Sequence, residues 1–258
     1  MVALGFLVVG VLALTLSYII ASQILAFIGL GLTFWGALFL LTKPVRYVEG
    51  NLMVSTMSSS YSDIGRILND LQYKGKAYHV PPYPEIVYVP DHLKGLKEMV
   101  VFVSKDQKCN ATPSVEQMAK GKFFADKPKG LLLTPPGLGL LNQIEKKSGT
   151  DFTKTNILDI CEIMPKYILD NYSLAKEIGV TVRENDVTIN VKDSMFKTLF
   201  TQEKTNKSVL LLGCPIISSV VCAIVKSSGK PVKIQEVRFS DEGSYITATA
   251  QMIQDDKK

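Results

Sequence analysis

MVALGFLVVGVLALTLSYIIASQILAFIGLGLTFWGALFLLT, residues 1–42, contains no Lys, Arg, Asp, Glu or His. The polar pair Ser22-Gln23 divides it into two apolar blocks, about 2–21 and 24–41, each close to the roughly 20 residues that cross a bilayer as a helix. One unbroken helix over both would be about 60 Å long, twice a hydrocarbon thickness of about 30 Å. Two spans joined by a tight turn fit better, which predicts an N-terminal transmembrane helical hairpin. A cleaved signal peptide would open on a basic segment, yet residues 1–11 carry no basic side chain and the apolar signal runs on past the length of such a leader.

Charge begins where the hairpin stops. Lys43 and Arg46 follow the second block directly, whereas the turn and the N-terminus lack basic side chains. Those two residues therefore decide the expected topology: a two-pass cell-membrane protein with its N-terminus and everything after residue 42 in the cytoplasm. The rest of the chain holds 29 Lys and Arg against 24 Asp and Glu, a formal net charge of +5. An excess this mild and spread out favours a nearby anionic membrane surface, and nucleic acid is not expected as a partner. Cys109, Cys161, Cys214 and Cys222 form no C-x-x-C pair and lie far in sequence from His79 and His92. Neither a metal site nor a disulfide framework is expected from them.

Beyond the hairpin, residues 43–62 read as a juxtamembrane tether because of the run Ser-Thr-Met-Ser-Ser-Ser-Tyr-Ser at 55–62. A soluble domain, 63–258, follows. Ser62 is a cap candidate for a helix that Gly75 would stop. Residues 77–103 are strand-like, with apolar centres at 86–89 and 99–103, and 104–129 is a lysine-rich loop with a short helix near 115–120. Residues 156–178 read as helical, capped at Asn156, with Pro165 starting a new helix after a bend. Alternation of valine and isoleucine with polar residues predicts a hairpin over 180–191. A short helix at 194–201, a strand at 209–212, a helix at 216–228 stopped by Gly229, and strands at 232–239 and 245–253 complete a mixed fold of the α+β class.

Within it, GLLLTPPGLGLL at 130–141 raises the question of a phosphate loop. The Walker pattern needs a lysine after its last glycine, and Leu-Leu-Asn-Gln follows Gly139 instead. The dinucleotide pattern needs a third glycine at the position of Asn142. The segment is better explained as a strand-to-helix turn with Thr134 as N-cap and proline in the first helical turn. Residues 130–149 and 209–229 share an order: Leu-Leu-Leu, a proline turn, a helix, a lysine and Ser-Gly. Either a duplicated strand-turn-helix unit or shared capping rules account for that. Thr134, Gly137 and Gly139 in the first unit, with Gly213, Ser218 and Ser219 in the second, are the positions that would face an anion or small ligand if the turns hold one.

Other chemistry is sparse. Asp91-His92 and the carboxylate pairs Asp241-Glu242 and Asp255-Asp256 stand without a nucleophile in a recognisable motif, so no catalytic residue, cofactor or metal is expected. LLLTPPGLGLLNQIEKKSGTDFTK and LLLGCPIISSVVCAIVKSSGKPVKIQE, behind a two-span hairpin, resemble predicted archaeal membrane-anchored proteins of uncharacterised function. The last 45 residues also resemble the end of the 4-vinyl-reductase-type ligand-binding module, although no cysteine follows Cys222. These resemblances imply a location and, for the second, a small ligand. The expectation is a non-catalytic membrane-anchored binding or scaffold protein whose partners are the lipid bilayer and a protein or small ligand. A membrane-tethered small-ligand sensor is the first alternative. A hydrolase or transferase is the second, and would need Asp91 or His92 to meet a nucleophile in one cleft.

Overall fold

Three glycines set the N-terminal hairpin. In the computed structural model, α1 (Val2–Ile20) and α2 (Gln23–Leu41) pack along each other, joined at Ala21 and Ser22. A Cβ on Gly10 would lie 2.6 Å from Thr33 N, one on Gly29 2.8 Å from the Leu14 side chain, and one on Gly36 2.8 Å from Leu7 N. Small residues let the two backbones approach to a distance no larger side chain permits. Ala21 takes the left-handed conformation, φ 51°, and Ser17 Oγ donates to Ser22 O at 2.7 Å across the turn. Both helices are long and apolar enough to cross a membrane.

The structure describes residues 2–41, 50–82, 99–107, 109, 111–114, 117–118 and 122–253. Lys43, Arg46, the strand expected at 86–89, Asp91, His92 and Asp255-Asp256 lie outside them. Residues 1–49 form one compact unit and 50–258 the other.

The second unit is a mixture of helices with an eight-stranded sheet, as the α+β reading requires. Its strands are β1 (Ala77–Val80), β2 (Val100–Ser104), β3 (Phe124–Asp126), β4 (Lys129–Leu133), β5 (Glu177–Arg183), β6 (Asp186–Lys192), β7 (Val232–Phe239) and β8 (Tyr245–Met252). They pair antiparallel throughout in the order β3-β4-β2-β1-β7-β8-β6-β5. The expected hairpin is β5–β6, in register from Glu177↔Lys192 to Arg183↔Asp186. The helices are α3 (Gly50–Asp70), α4 (Leu138–Ser148), α5 (Ile157–Lys166), α6 (Lys197–Thr201), α7 (Glu203–Leu212) and α8 (Pro215–Ser228).

α8 is the centre of the domain. All its residues from Pro215 to Val225 are buried, among the sheet strands β1, β7 and β8 on one side and α4 and α5 on the other. A helix apolar on every side is stable in water only where other elements surround it. Alternation divides the sheet: Ala77, Val101, Val103 and Leu131 pack with Leu68 of α3 and Leu212 of α7. Their neighbours Tyr78, Phe102 and Leu132 face the other way and join Val80, Met118 and Ala125 in a smaller cluster.

Four expectations are corrected. Residues 50–62 are the first turns of α3 rather than a tether, because Val54, Met57, Tyr61, Ile64 and Leu68 recur at helical spacing and seat the helix on α7. Residues 209–212 form the end of helix α7 rather than a strand. Thr205, Ser208, Val209 and Leu212 make one buried stripe at i, i+3, i+4 and i+7. The second supposed unit is therefore helix-turn-helix, and the likeness to 130–149 does not extend to the element before the turn. Finally, Thr134 is exposed and caps nothing; Gly137 is the N-cap of α4, and Pro165 lies inside α5, which continues into a π-turn at Tyr167–Asn171.

Candidate functional site

The two proline turns lie against each other. Gly137, closing the first, is buried, and its N–H donates to Ser218 Oγ, 3.0 Å away in the first turns of α8. A Cβ at Gly137 would overlap Ser219 N, Ser218 C and Pro215 O, so only glycine permits this approach. The helices that follow are held together as well. Lys226 Nζ of α8 reaches both carboxylate oxygens of Glu145 in α4, at 2.7 and 2.8 Å, and Glu145 Oε1 also accepts from the N–H of Phe152. Both helices end at glycines in the left-handed conformation, Gly149 (φ 68°) and Gly229 (φ 64°).

Ser218 has a second neighbour that sequence reasoning passed over. His79, on β1, places Nε2 3.3 Å from Ser218 Oγ. It is fully buried, and its Nδ1 has no hydrogen-bond partner among the described residues. Burial holds its imidazole neutral, with the pKa lowered to about 3. Cys222, one helical turn after Ser218, is buried, and its thiol is pushed well up by desolvation. Burial pushes the thiol of Cys214 up to about 11, against the pull of the Ile217 and Ile216 amides. A thiol that stays protonated is a poor nucleophile and a poor metal ligand. The only signal in the sequence that could have linked His79 to this seam was its position in a strand otherwise built of core residues.

The remaining candidates divide by exposure. Gly213 takes φ 77° at the α7–α8 corner, and its carbonyl accepts from the Tyr61 hydroxyl of α3 at 2.8 Å. Ser208 Oγ in turn donates to Tyr61 O at 2.7 Å, so α3 is fixed to α7 and α8 by a reciprocal pair of buried bonds. Ser219 Oγ donates to Ile216 O in its own helix. Thr134 and Gly139 are exposed, and a Cβ on Gly139 would meet nothing within 4 Å. The structure thus brings Gly137, Ser218 and Ser219 together, fills the space between them with protein atoms, and leaves Thr134 and Gly139 outside.

One open groove lies elsewhere, about 490 Å³ in volume, between Ser58, Ser59 and Ser62 of α3 and Gln202, Glu203 and Lys204 at the start of α7. Ser58 Oγ donates to Gln202 Oε1 across it at 2.9 Å. Among the described residues no group of three or more His, Cys, Asp or Glu is arranged to hold a metal ion.

Comparison with known proteins gives the order of elements a place. The family model for the domain of unknown function DUF7982 matches residues 1–250. The chain belongs to that family. The match takes in the N-terminal hairpin and the α+β domain together. No curated protein and no solved structure matches the chain.

Proposed function

We propose that this member of the family is a two-pass membrane-anchored, non-catalytic binding or scaffold protein, with its α+β domain displayed on the cytoplasmic side to recognise a protein partner. The observation that carries this reading is the filled seam between the proline turns. Gly137 N–H, Ser218 Oγ and His79 Nε2 are bonded to one another there and hold elements of the core together, which leaves recognition to the outer surface. Anchorage rests on α1 and α2, and the cytoplasmic side on Lys43 and Arg46.

The resemblance to archaeal membrane-anchored proteins agrees with this reading in its order of hairpin and domain. The resemblance to the 4-vinyl-reductase-type module would ask for a cavity along α8, where Pro215 to Val225 are instead packed on all sides. The test is purification of the intact chain from its native membrane after in-cell crosslinking. A single protein recovered at fixed stoichiometry is the expected result. A tightly retained small molecule with no crosslinked protein would replace the reading with the ligand sensor, and a chain released by alkaline carbonate would remove the anchor.

A further inference from the structure

KFFADKPK, residues 122–129, joins an edge strand to a tight turn. β3 is the outermost strand on its side of the sheet, bonded to β4 alone. Phe123 and Phe124 are 69% and 53% exposed there, unlike Ala125 beside them, which is buried in the small cluster. Folding hides large aromatic side chains wherever packing allows, so two adjacent exposed phenylalanines on a sheet edge mark a contact surface. The charge around them has one sign in excess. Lys122, Lys127 and Lys129 are exposed. The backbone adds two more, because Lys105 N–H donates to Lys129 O and Lys74 N–H to Lys105 O, which places Lys74, Lys105 and Lys129 side by side at the end of the strands. Asp106 and Asp126 are the acidic residues within these same segments, and none of the five lysines is ion-paired to an acidic side chain among the described residues.

We propose that this edge is a second membrane contact: Phe123 and Phe124 enter the interfacial region of an anionic bilayer while Lys74, Lys105, Lys122, Lys127 and Lys129 meet its acidic headgroups. Aromatic residues partition into the headgroup layer, and lysines beside them gain from the negative surface potential within about one Debye length. The occupant is the bilayer rather than a protein strand because the lysines complement lipid phosphate. This inference rests on the membrane-anchored reading, since α1 and α2 keep that surface within reach of the domain. Docking would hold the domain in one orientation on the membrane and turn a fixed face toward the cytoplasm.

The experiment uses the full chain with Trp35→Phe, which removes its one tryptophan, and with Phe123→Trp, placed in vesicles of phosphatidylcholine alone or mixed with phosphatidylglycerol. Quenching of the introduced indole by bromine-labelled lipid reports insertion, and carbonate extraction of the same vesicles reports anchorage separately. Expected are strong quenching in the anionic vesicles, weak quenching in neutral ones, and a docking equilibrium weakened about fivefold for each lysine removed in Lys127→Ser and Lys129→Ser. Tyr245→Trp, exposed on β8 far along the sheet, serves as the unquenched control. An unquenched indole at position 123 in both lipids overturns the proposal even where the chain resists carbonate. So does an indole that is shielded without lipid quenching, which would mean pairing of the edge with a second copy. Equal quenching in both lipids overturns the role given to the lysines.

Discussion

Gly137 and Gly139 stand two residues apart, and the fold treats them oppositely. A methyl group on Gly137 would strike the backbone of α8 at Ser218 and Ser219, whereas one on Gly139 points into open space on the exposed side of α4. Gly137→Ala is expected to lower stability by about 3 kcal/mol, since backbone cannot rotate out of the way. Gly139→Ala is expected to raise it by about 0.5 kcal/mol through helix propensity. Chemical unfolding of the two variants in detergent checks the contrast. His79 makes a second prediction. In the unfolded chain a histidine takes its proton near pH 6.5, but in the fold His79 stays neutral to about pH 3. Between those values the unfolded state binds more protons, so the His79 contribution is intact above pH 6.5 and is lost as pH falls toward 3. The slope difference between the native chain and His79→Gln should approach about 1.4 kcal/mol per pH unit in that window and vanish at pH 8. An identical acid slope in both proteins would show that His79 is not shielded from water.

At the scale of elements, α3 depends on two buried hydrogen bonds to the α7–α8 corner. Tyr61→Phe leaves Gly213 O without its donor, and Ser208→Ala removes the bond to Tyr61 O. Each is expected to cost about 1–2 kcal/mol and to speed amide exchange in α3 more than in β6 or β8, which hydrogen-exchange mass spectrometry resolves. The same helix explains where sequence reading stopped short. The β5–β6 hairpin and the Gly229 stop were legible because alternation and a left-handed glycine are local signals. α3 was obscured by serines at 55, 58, 59, 60 and 62, which suggest a loop by composition while Val54, Met57, Tyr61 and Leu68 keep the helical period beneath them. α7 was obscured for a related reason: Val209 to Leu212 alone fit a strand, and the preceding Thr205 and Ser208 look solvated. They are buried because their hydroxyls find Leu199 O and Tyr61 O, a fact of tertiary structure that no window of sequence carries. The pairing of the two proline turns, and with it the Gly137–Ser218–His79 seam, was likewise out of reach, since His79, Gly137 and Ser218 come from three segments spread over 140 residues.

For the whole molecule, hydropathy alone would misplace one helix pair. Lys207–Ser228 holds a stretch as long and apolar as the N-terminal helices, yet it is 89% buried inside the α+β domain where they are 11% buried. Gly213 and Pro215 break it into α7 and α8, too short singly to cross a bilayer. What distinguishes these helices is burial: the residues of α8 from Pro215 to Val225 are buried, whereas most of those of α1 and α2 are not. The topology proposed above is two spans and one cytoplasmic domain. The direct measurement is a reporter active only in the cytoplasm, fused after Gly50 in one protein and after Lys258 in another. Both fusions are predicted to be active. Activity after Gly50 but not after Lys258 would mean that Lys207–Ser228 crosses the membrane, and inactivity of both would place the domain outside the cell; either result contradicts the account.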